Sequence, residues 1–273
     1  MHLVKLNLAR NCLKYIIKAY GIKEIFIPYY SCQTLWIAAR EEKCKIKFYH
    51  IDSNFMPVEE FKTNAYIVYI NYFGLCTNNC KLLAEKYKNL IIDNTHSFYS
   101  EPIGLSSFNS LRKFFDVQNG AYLYTEKMLN ENIPTENLQL NPVLFHQNLN
   151  KFIKNELLLN QEKDIKQIAT NVISKLYKIN FEKDIEQRIK TFNKYSKVFN
   201  QYNKISLKLS NNNVPYCYPF CPNRQIDIHD LTILRLWKPI PKNFIEHSYL
   251  NNTMALPLND TLYADKIIQT ITY

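Results

Sequence analysis

The stretch NLIIDNTHSFYS, residues 89–100, changes from apolar to polar within a few positions. Its apolar run LII is typical of a buried strand, and Asp93 and His96 follow that run. A ligand at the carboxyl end of a parallel sheet would explain a carboxylate and an imidazole there, and so would a polar loop. The stretch therefore predicts a buried strand and a candidate site at its end.

Strand and helix patterns alternate on both sides of this stretch. Strands are predicted for EIFIP at 24–28, CKIKFYHID at 44–52, NAYIVYINYFG at 64–74, LIIDNT at 90–95 and GAYLYT at 120–125. Helical patterns occupy 9–20, 31–42 and 78–89, and 106–119 is interpreted as a polar turn. Repeated strand–helix–strand units predict a mostly parallel sheet that is flanked by helices.

The pattern changes after about residue 126. Residues 150–204 are predicted to be mostly helical, and the end of the chain mixes short strands, prolines and a last helix. This arrangement predicts an α/β domain at 1–135, followed at 136–273 by a helical connection and a small α+β domain. Trp237 in this second part is interpreted as a core residue.

The composition is that of a globular protein, with 47% hydrophobic and 14% aromatic residues. No apolar run approaches the roughly 20 residues that a membrane span needs, and the first residues do not have the pattern of a signal peptide. Seven cysteines, an odd number, fit a reducing compartment. We therefore expect a cytoplasmic protein.

Two other kinds of site receive less support. The net charge of +10 invites a nucleic-acid interpretation, but the lysines are scattered among acidic residues and form no recognition motif, so no nucleic-acid binding is expected. The spacings Cys76/Cys80 and Cys217/Cys221 resemble those of zinc ligands. The two pairs belong to different predicted domains, and no metal is expected.

A lysine follows the acidic strand end. Lys113 lies in SLRKFF, twenty residues after Asp93. In a pyridoxal phosphate site, a lysine forms a Schiff base with the cofactor and a carboxylate keeps the pyridine nitrogen protonated. Amide groups at a helix N-terminus and hydroxyl groups would bind the phosphate. Most Asp and Lys pairs are surface charges, so this spacing alone also fits solvated side chains.

Several motifs of the chain, in order, resemble those of the DegT/DnrJ/EryC1/StrS family of sugar aminotransferases. ARNCLKYIIKAYGI resembles the family's SGTAAL helix start, INYFG stands where the family has HLYG, and LIIDNTHS resembles VIEDAAQA. The segment at 24–52 resembles VPSFTFVATANAVLYAGAKPVFVDID. SLRKFFDVQNGAYLYT resembles the lysine loop SFxxxKNLxxGEGGAVVT, and MALPLND resembles SLPLHP. The resemblance is good to about residue 128 and weaker beyond it.

The resemblance implies a type I pyridoxal-phosphate transferase fold, with Lys113 as the Schiff-base lysine and Asp93 as the acid at the pyridine nitrogen. It implies that His96 contacts the ring or its 3-hydroxyl. Further cofactor contacts are assigned to Ser110, Arg10, Asn11 and Ser31, and substrate contacts to Tyr72, Tyr218 and Arg224. Tyr216 is a further aromatic near the expected site.

The sequence also departs from the family pattern. The phosphate-binding serine falls at Phe108, so that Ser110 or Ser107 would have to replace it, and the aromatic that stacks on the ring falls at Cys32. The family usually has a further segment before its phosphate-binding helix, whereas this sequence starts almost at that helix.

The function implied by the resemblance is amino transfer from a donor such as glutamate to a keto-sugar on a nucleotide, for surface-glycan synthesis. A homodimer is implied as well. A sugar dehydratase on the same scaffold is one alternative, although such enzymes commonly carry His at the lysine position, and Lys113 argues against it. A cofactor-free binding relative is the other alternative.

Overall fold

The computed structural model describes residues 1–211, 213–237 and 240–272. The first half of the chain contains the strands β1 (His2–Leu6), β2 (Glu24–Pro28), β3 (Lys45–Tyr49), β4 (Ile67–Ile70), β5 (Leu90–Asn94), β6 (Ser106–Asn109) and β7 (Ala121–Thr125). Within the described residues these seven strands form one sheet in the order β1-β7-β6-β5-β4-β2-β3. The helices between them are α1 (Ala9–Tyr20), α2 (Gln33–Glu41) and α3 (Thr77–Lys86).

The second half of the chain is mainly helical until a small sheet forms near its end. The helices are α4 (Leu149–Gln161), α5 (Thr170–Leu176), α6 (Phe181–Phe199), α7 (His247–Leu250) and α8 (Thr261–Thr272). The strands are β8 (Cys217–Phe220), β9 (Leu234–Arg235) and β10 (Met254–Pro257), and they pair antiparallel in the order β8-β10-β9. The predicted mostly parallel sheet with a small α+β part is confirmed. The division at residue 135 stays a prediction, because the buried core is continuous between the two sheets.

The direction of the strands brings several loops to one edge of the large sheet. Strands β2 to β6 pair parallel, and β7 pairs antiparallel with both β6 and β1. Strand β1 therefore also runs parallel to β6. The residues that follow β1, β2, β4, β5 and β6 consequently meet at a single edge, which is where parallel sheets bind ligands.

Helix α1 illustrates how the local sequence produces this framework. Cys12, Leu13, Ile16 and Ile17 are buried at helical spacing. The helix ends at Gly21, whose φ of 63° lies in the left-handed region and whose N–H donates to a carbonyl of the last turn. The apolar stripe packs on β6 and β7, and the start of the helix lies at the edge where the strands end.

Two strands differ from the sequence-based prediction. Strand β1 was not predicted, because only Leu6 of its residues is buried and its pairing partner β7 is far away in the sequence. Strand β6 lies in the predicted polar turn. Its polar side chains are buried, and two of them form tertiary hydrogen bonds: Ser106 Oγ donates to Thr125 Oγ1 at 2.9 Å, and Asn109 Oδ1 accepts from the backbone N–H of Tyr122 at 3.1 Å. Among the described helices, none is both long and apolar enough to cross a membrane.

Candidate active site

A cavity of about 330 Å³ lies at the edge where the parallel strands end. Loops from the large sheet, helix α4 and the small sheet all contribute to its walls. Its walls include Cys32, His96, Arg112, Lys113, Tyr216 and Trp237. The volume falls in the range that is typical of small-molecule sites.

Lys113 lies in the short 3₁₀ turn that follows β6 and is half-buried. Its amine donates one long hydrogen bond of 3.4 Å to Thr95 Oγ1, and Nζ lies 5.5 Å from the ring centroid of Tyr216. Burial lowers the pKa of Lys113, while the charge of Asp93 partly opposes this shift. The amine is therefore weakly held and easier to deprotonate than an ordinary lysine.

Asp93 is buried at the end of β5, with 3% of its surface exposed. Its hydrogen bond within the described residues comes from the backbone N–H of Thr95, at 2.8 Å to Oδ1. Burial raises the pKa of Asp93, while the charge of Lys113 and the bonds from Thr95 oppose the rise. The other carboxylate oxygen accepts no hydrogen bond within the described residues, and Asp93 lies behind the residues that line the cavity.

His96 is fully buried and carries an unsatisfied donor. Its Nδ1 accepts the backbone N–H of Phe73 at 3.3 Å, which places the ring proton on Nε2. Nε2 is buried without a hydrogen-bond partner in the described part of the chain. Burial and the nearby charge of Lys113 hold the pKa of His96 well below its usual value, so the imidazole is neutral. An orphaned buried donor beside a cavity indicates a missing acceptor.

Three aromatic rings stack with His96, and two of them, Tyr216 and Trp237, line the cavity. The centroid of Tyr216 lies 4.8 Å from that of His96 at an interplanar angle of 18°, and that of Trp237 lies 5.2 Å away at 3°. Trp237 was interpreted as a core residue, but it is half-buried, lines the cavity and has a φ of +47°. A bulky side chain in the left-handed region is strained, which is common at functional sites.

Arg10 and Ser110 do not line the cavity but remain available for an anion beside it. Arg10 lies in the first turn of α1, is half-buried, and forms no ion pair within the described residues. Burial and the neighbouring charge of Arg112 lower the pKa of Arg10, and a bound anion would relieve both effects. The N-cap residue Leu8 supplies no side-chain cap to the helix. The buried hydroxyl of Ser110 has no hydrogen bond in the described structure.

The other predicted cofactor residues bind protein groups instead. Asn11 donates to the carbonyl of Asp164 at 2.7 Å and to Asn7 Oδ1 at 2.9 Å. The Ser31 hydroxyl donates to the carbonyl of Pro28 and accepts from Trp36, and it is thereby saturated. Asn11 and Ser31 hold the framework of the site and do not line the cavity.

Ser107 also lies away from the site. Strand pairing sets Asp93 opposite Phe108 and Ile92 opposite Ser107. Because neighbouring residues of a strand point to opposite faces, Ser107 lies on the sheet face away from Asp93. Of the two serines that could replace the family's phosphate ligand, Ser110 is the better placed.

The predicted substrate residues lie outside the cavity. The Tyr72 hydroxyl donates to the carbonyl of Tyr30 in the core, and the Tyr218 hydroxyl donates to Asn200 at 2.8 Å. Arg224 is exposed, with its guanidinium 3.8 Å from the ring centroid of Tyr202. Tyr72 and Tyr218 therefore bind protein groups and Arg224 lies on the surface, and the three substrate assignments stay predictions that the cavity does not support.

Two residues at the site, Thr95 beside the lysine and Arg188 in the cavity wall, were not predicted from the sequence. Thr95, which accepts from Lys113, could have been found because it lies between Asp93 and His96. Arg188 lines the cavity although it is an arginine on the apolar side of α6, four residues before Phe192. A charged residue within an apolar stripe is the signal that could have identified it.

The cysteine pairs show no metal-binding arrangement. Within the described residues, no group of three or more His, Cys, Asp or Glu side chains is placed to hold a metal ion. Cys76, Cys80 and Cys217 are buried, and burial raises the pKa of each thiol. These thiols behave as small core residues.

Comparison with known proteins identifies the fold. No known family model matches the sequence, and no curated protein matches it. Among solved structures, a DegT DnrJ EryC1 StrS aminotransferase from Brucella abortus is similar with a TM-score of 0.65 at 14% identity, over 100% of this chain and 85% of that one.

Two further solved structures are similar to this one. S. venezuelae DesV, in complex with a ketimine intermediate, has a TM-score of 0.64 at 10% identity, over 99% of this chain and 84% of that one. Helicobacter pylori PseC, an aminotransferase involved in the biosynthesis of pseudoaminic acid, has a TM-score of 0.56 at 13% identity, over 100% and 86%. The fold predicted from the family resemblance is thereby confirmed.

Proposed function

We propose that the protein is a pyridoxal-phosphate-dependent aminotransferase. The observation that carries this proposal is the presence of Lys113 and His96 in the wall of one cavity, with the buried Asp93 carboxylate close enough to influence the charge of Lys113, in a chain that has the fold of such enzymes. The three residues come from the ends of two neighbouring parallel strands, β5 and β6.

The side chains present fit the cofactor. The orphaned Nε2 of His96 can donate to an oxygen substituent on the ring, and the free oxygen of Asp93 can accept from a ring N–H. Arg10, the first turn of α1 and the Ser110 hydroxyl would bind the phosphate. Lys113 has an amine that only one long hydrogen bond holds.

Each of these residues would have its own role in amino transfer. When bound, the cofactor supplies an aldehyde that accepts the amine and a ring that withdraws electrons from the donor's α-carbon. The Asp93 carboxylate holds the proton at the ring nitrogen. The lowered pKa of Lys113 favours its neutral form, which can accept a proton. Its amine would take the proton from the α-carbon of the donor and return it at the cofactor carbon that carries the amine. Tyr216 and Trp237 cover His96 and exclude water from it.

The proposed acceptor is a keto-sugar linked to a nucleotide, with glutamate as donor, and the product would serve surface-glycan synthesis. The net charge of +10 favours a phosphate-bearing substrate. The similarity to an enzyme of pseudoaminic acid biosynthesis supports a sugar as acceptor.

We also propose a homodimer. Leu149, Ile153 and Leu157 lie four residues apart on α4 and are 39%, 47% and 60% exposed. Phe152 and Glu156 of the same helix line the cavity. A second copy that covers this apolar stripe would therefore stabilise one wall of the site. Sedimentation of a Leu157→Glu variant tests this, and a dimer that persists in the variant would argue against it.

The half-reaction tests the proposed activity directly. The protein is loaded with pyridoxal phosphate, freed of excess cofactor and mixed with single amino acids, without an acceptor. The proposal predicts that one amino acid releases its 2-oxo acid in an amount equal to the bound cofactor, because the amine stays on the protein. A loaded protein that releases no 2-oxo acid from any amino acid would contradict amino transfer.

A non-catalytic binding role is the second candidate. It is favoured because the sequence has Cys32 at the ring-stacking position, and because the amide nitrogen of Asn11 and the hydroxyl of Ser31 are hydrogen-bonded to protein groups. A correctly folded protein that binds no cofactor would support this role.

A further inference from the structure

The guanidinium of Arg188 joins three separate segments of the chain from a buried position. The residue is 1% exposed on helix α6. Its Nε donates to Asp184 Oδ2 at 2.8 Å, and its Nη2 donates to the carbonyl of Phe114 at 3.0 Å. Its Nη1 donates to the carbonyls of Tyr216 at 3.2 Å and Pro215 at 3.5 Å. The Asp184 carboxylate is itself held in place, because it accepts a hydrogen bond from the Tyr99 hydroxyl.

The joined segments flank the lysine of the candidate site. Phe114 directly follows Lys113, and the ring of Tyr216 lies 5.5 Å from Lys113 Nζ. The guanidinium also lies 4.4 Å from the ring centroid of Phe114. Because a planar guanidinium presents its donors in a fixed fork, these bonds set the orientation of the two segments as well as their separation.

We propose that Arg188 is a positioning residue that holds the Lys113 turn against Tyr216 and so keeps the lysine amine buried. This inference rests on the proposed role of Lys113 as the cofactor-binding lysine. Arg188 makes no hydrogen bond to Lys113 and acts through Phe114 and Tyr216. Without the clamp, the turn separates from the Tyr216 ring and water reaches the amine.

The consequence can be measured as a change in the titration of Lys113. Burial is the main cause of the lowered pKa of Lys113, so exposure of the amine raises this pKa towards its ordinary value. The groups that face the amine are Asp93, His96, Cys32, Arg112, Cys217 and Tyr216. Each of these groups is unchanged when Arg188 is substituted.

The test is acetylation of Lys113 in the protein without cofactor, over a series of pH values, with the modified peptide quantified by mass spectrometry. Arg188→Lys keeps the positive charge and loses the fork, and we expect the midpoint of Lys113 acetylation to move to higher pH. Asp184→Asn removes one anchor of the guanidinium and should move the midpoint in the same direction, by less. Lys190→Met, an exposed cation on the same helix, is the control and should leave the midpoint unchanged.

An unchanged Lys113 midpoint in folded Arg188→Lys and Asp184→Asn variants would overturn the proposal. A loss of thermal stability alone would then assign Arg188 a purely structural role. Because neither cofactor nor substrate is present, the result stands whether or not amino transfer is confirmed. Failure of the proposed activity and failure of this inference can therefore be distinguished.

Discussion

Replacement of Gly74 by alanine should damage the site through a single methyl group. Gly74 has a φ of +79°, and a Cβ there would lie 2.4 Å from the carbonyl oxygen of His96 and 3.0 Å from that of Val214. Both neighbours are backbone atoms and cannot rotate away. The methyl group would therefore push the His96 loop away from the segment that carries Tyr216.

The loss of folding free energy in Gly74→Ala has two parts. An alanine in the left-handed region costs roughly 1–2 kcal/mol. Forcing packed backbone apart costs about 1–3 kcal/mol more. We therefore expect Gly74→Ala to lower the free energy of unfolding by about 2–5 kcal/mol in total.

A matched substitution at Gly21 separates the conformational part of this loss from the part that is due to close approach. Gly21 also has a positive φ, of +63°, but nothing lies within 4 Å of a Cβ there. Gly21→Ala should therefore lose only the conformational part, roughly 1–2 kcal/mol, in urea unfolding followed by circular dichroism. Gly74→Ala should also weaken pyridoxal phosphate binding, whereas Gly21→Ala should not. Equal losses of stability, within about 0.5 kcal/mol, would refute the argument from close approach.

Three further results are expected. His96 is neutral in the folded protein and gains a proton in the unfolded chain when the pH drops below its ordinary pKa of 6.5. The free energy of unfolding therefore falls as the pH drops below 6.5, by at most roughly 1.4 kcal/mol per pH unit. Urea unfolding between pH 7 and 5 should show a weaker dependence in His96→Gln, and an unchanged slope would argue against a neutral His96. In Asp93→Asn, the loss of the carboxylate charge should lower the pKa of Lys113. The midpoint of Lys113 acetylation should then move to lower pH, and amino transfer should be lost. An acetylation midpoint that moves to higher pH would contradict this coupling. Tyr72→Phe should lower the free energy of unfolding by about 1 kcal/mol because the carbonyl of Tyr30 loses its donor, with amino transfer unchanged. A folded variant that has lost amino transfer would instead support the predicted substrate contact.

The central features of the site could be predicted because they depend on local order along the chain. A buried strand that ends in Asp93, followed by a turn with Lys113, is visible in the sequence, and parallel strands bring such ends together. His96 followed from the same stretch. Strand β1 could not be predicted, because its pairing with β7 depends on contacts more than a hundred residues apart in the sequence.

Long-range contacts also decide the surroundings of the other assigned residues. Asn11 lies at the helix start where a phosphate ligand is expected, but its amide is taken by the carbonyl of Asp164, a residue 153 positions away. Tyr72 and Tyr218 donate to protein groups in the core, and a sequence does not show which hydroxyls find such partners. The role of Arg188 could not be predicted, because it depends on the backbone carbonyls to which its guanidinium donates in the folded chain.

The most direct test of the proposed function is covalent trapping of pyridoxal phosphate. The protein is mixed with the cofactor, its visible absorption is recorded, and borohydride is added before peptide mass spectrometry. The account predicts a visible band and attachment of the cofactor to Lys113, with neither in Lys113→Ala. Lys113→Arg keeps the positive charge and serves as the matched control, in which trapping should also be lost. A folded wild-type protein that shows no band, or that carries the cofactor equally on other lysines, would contradict the account.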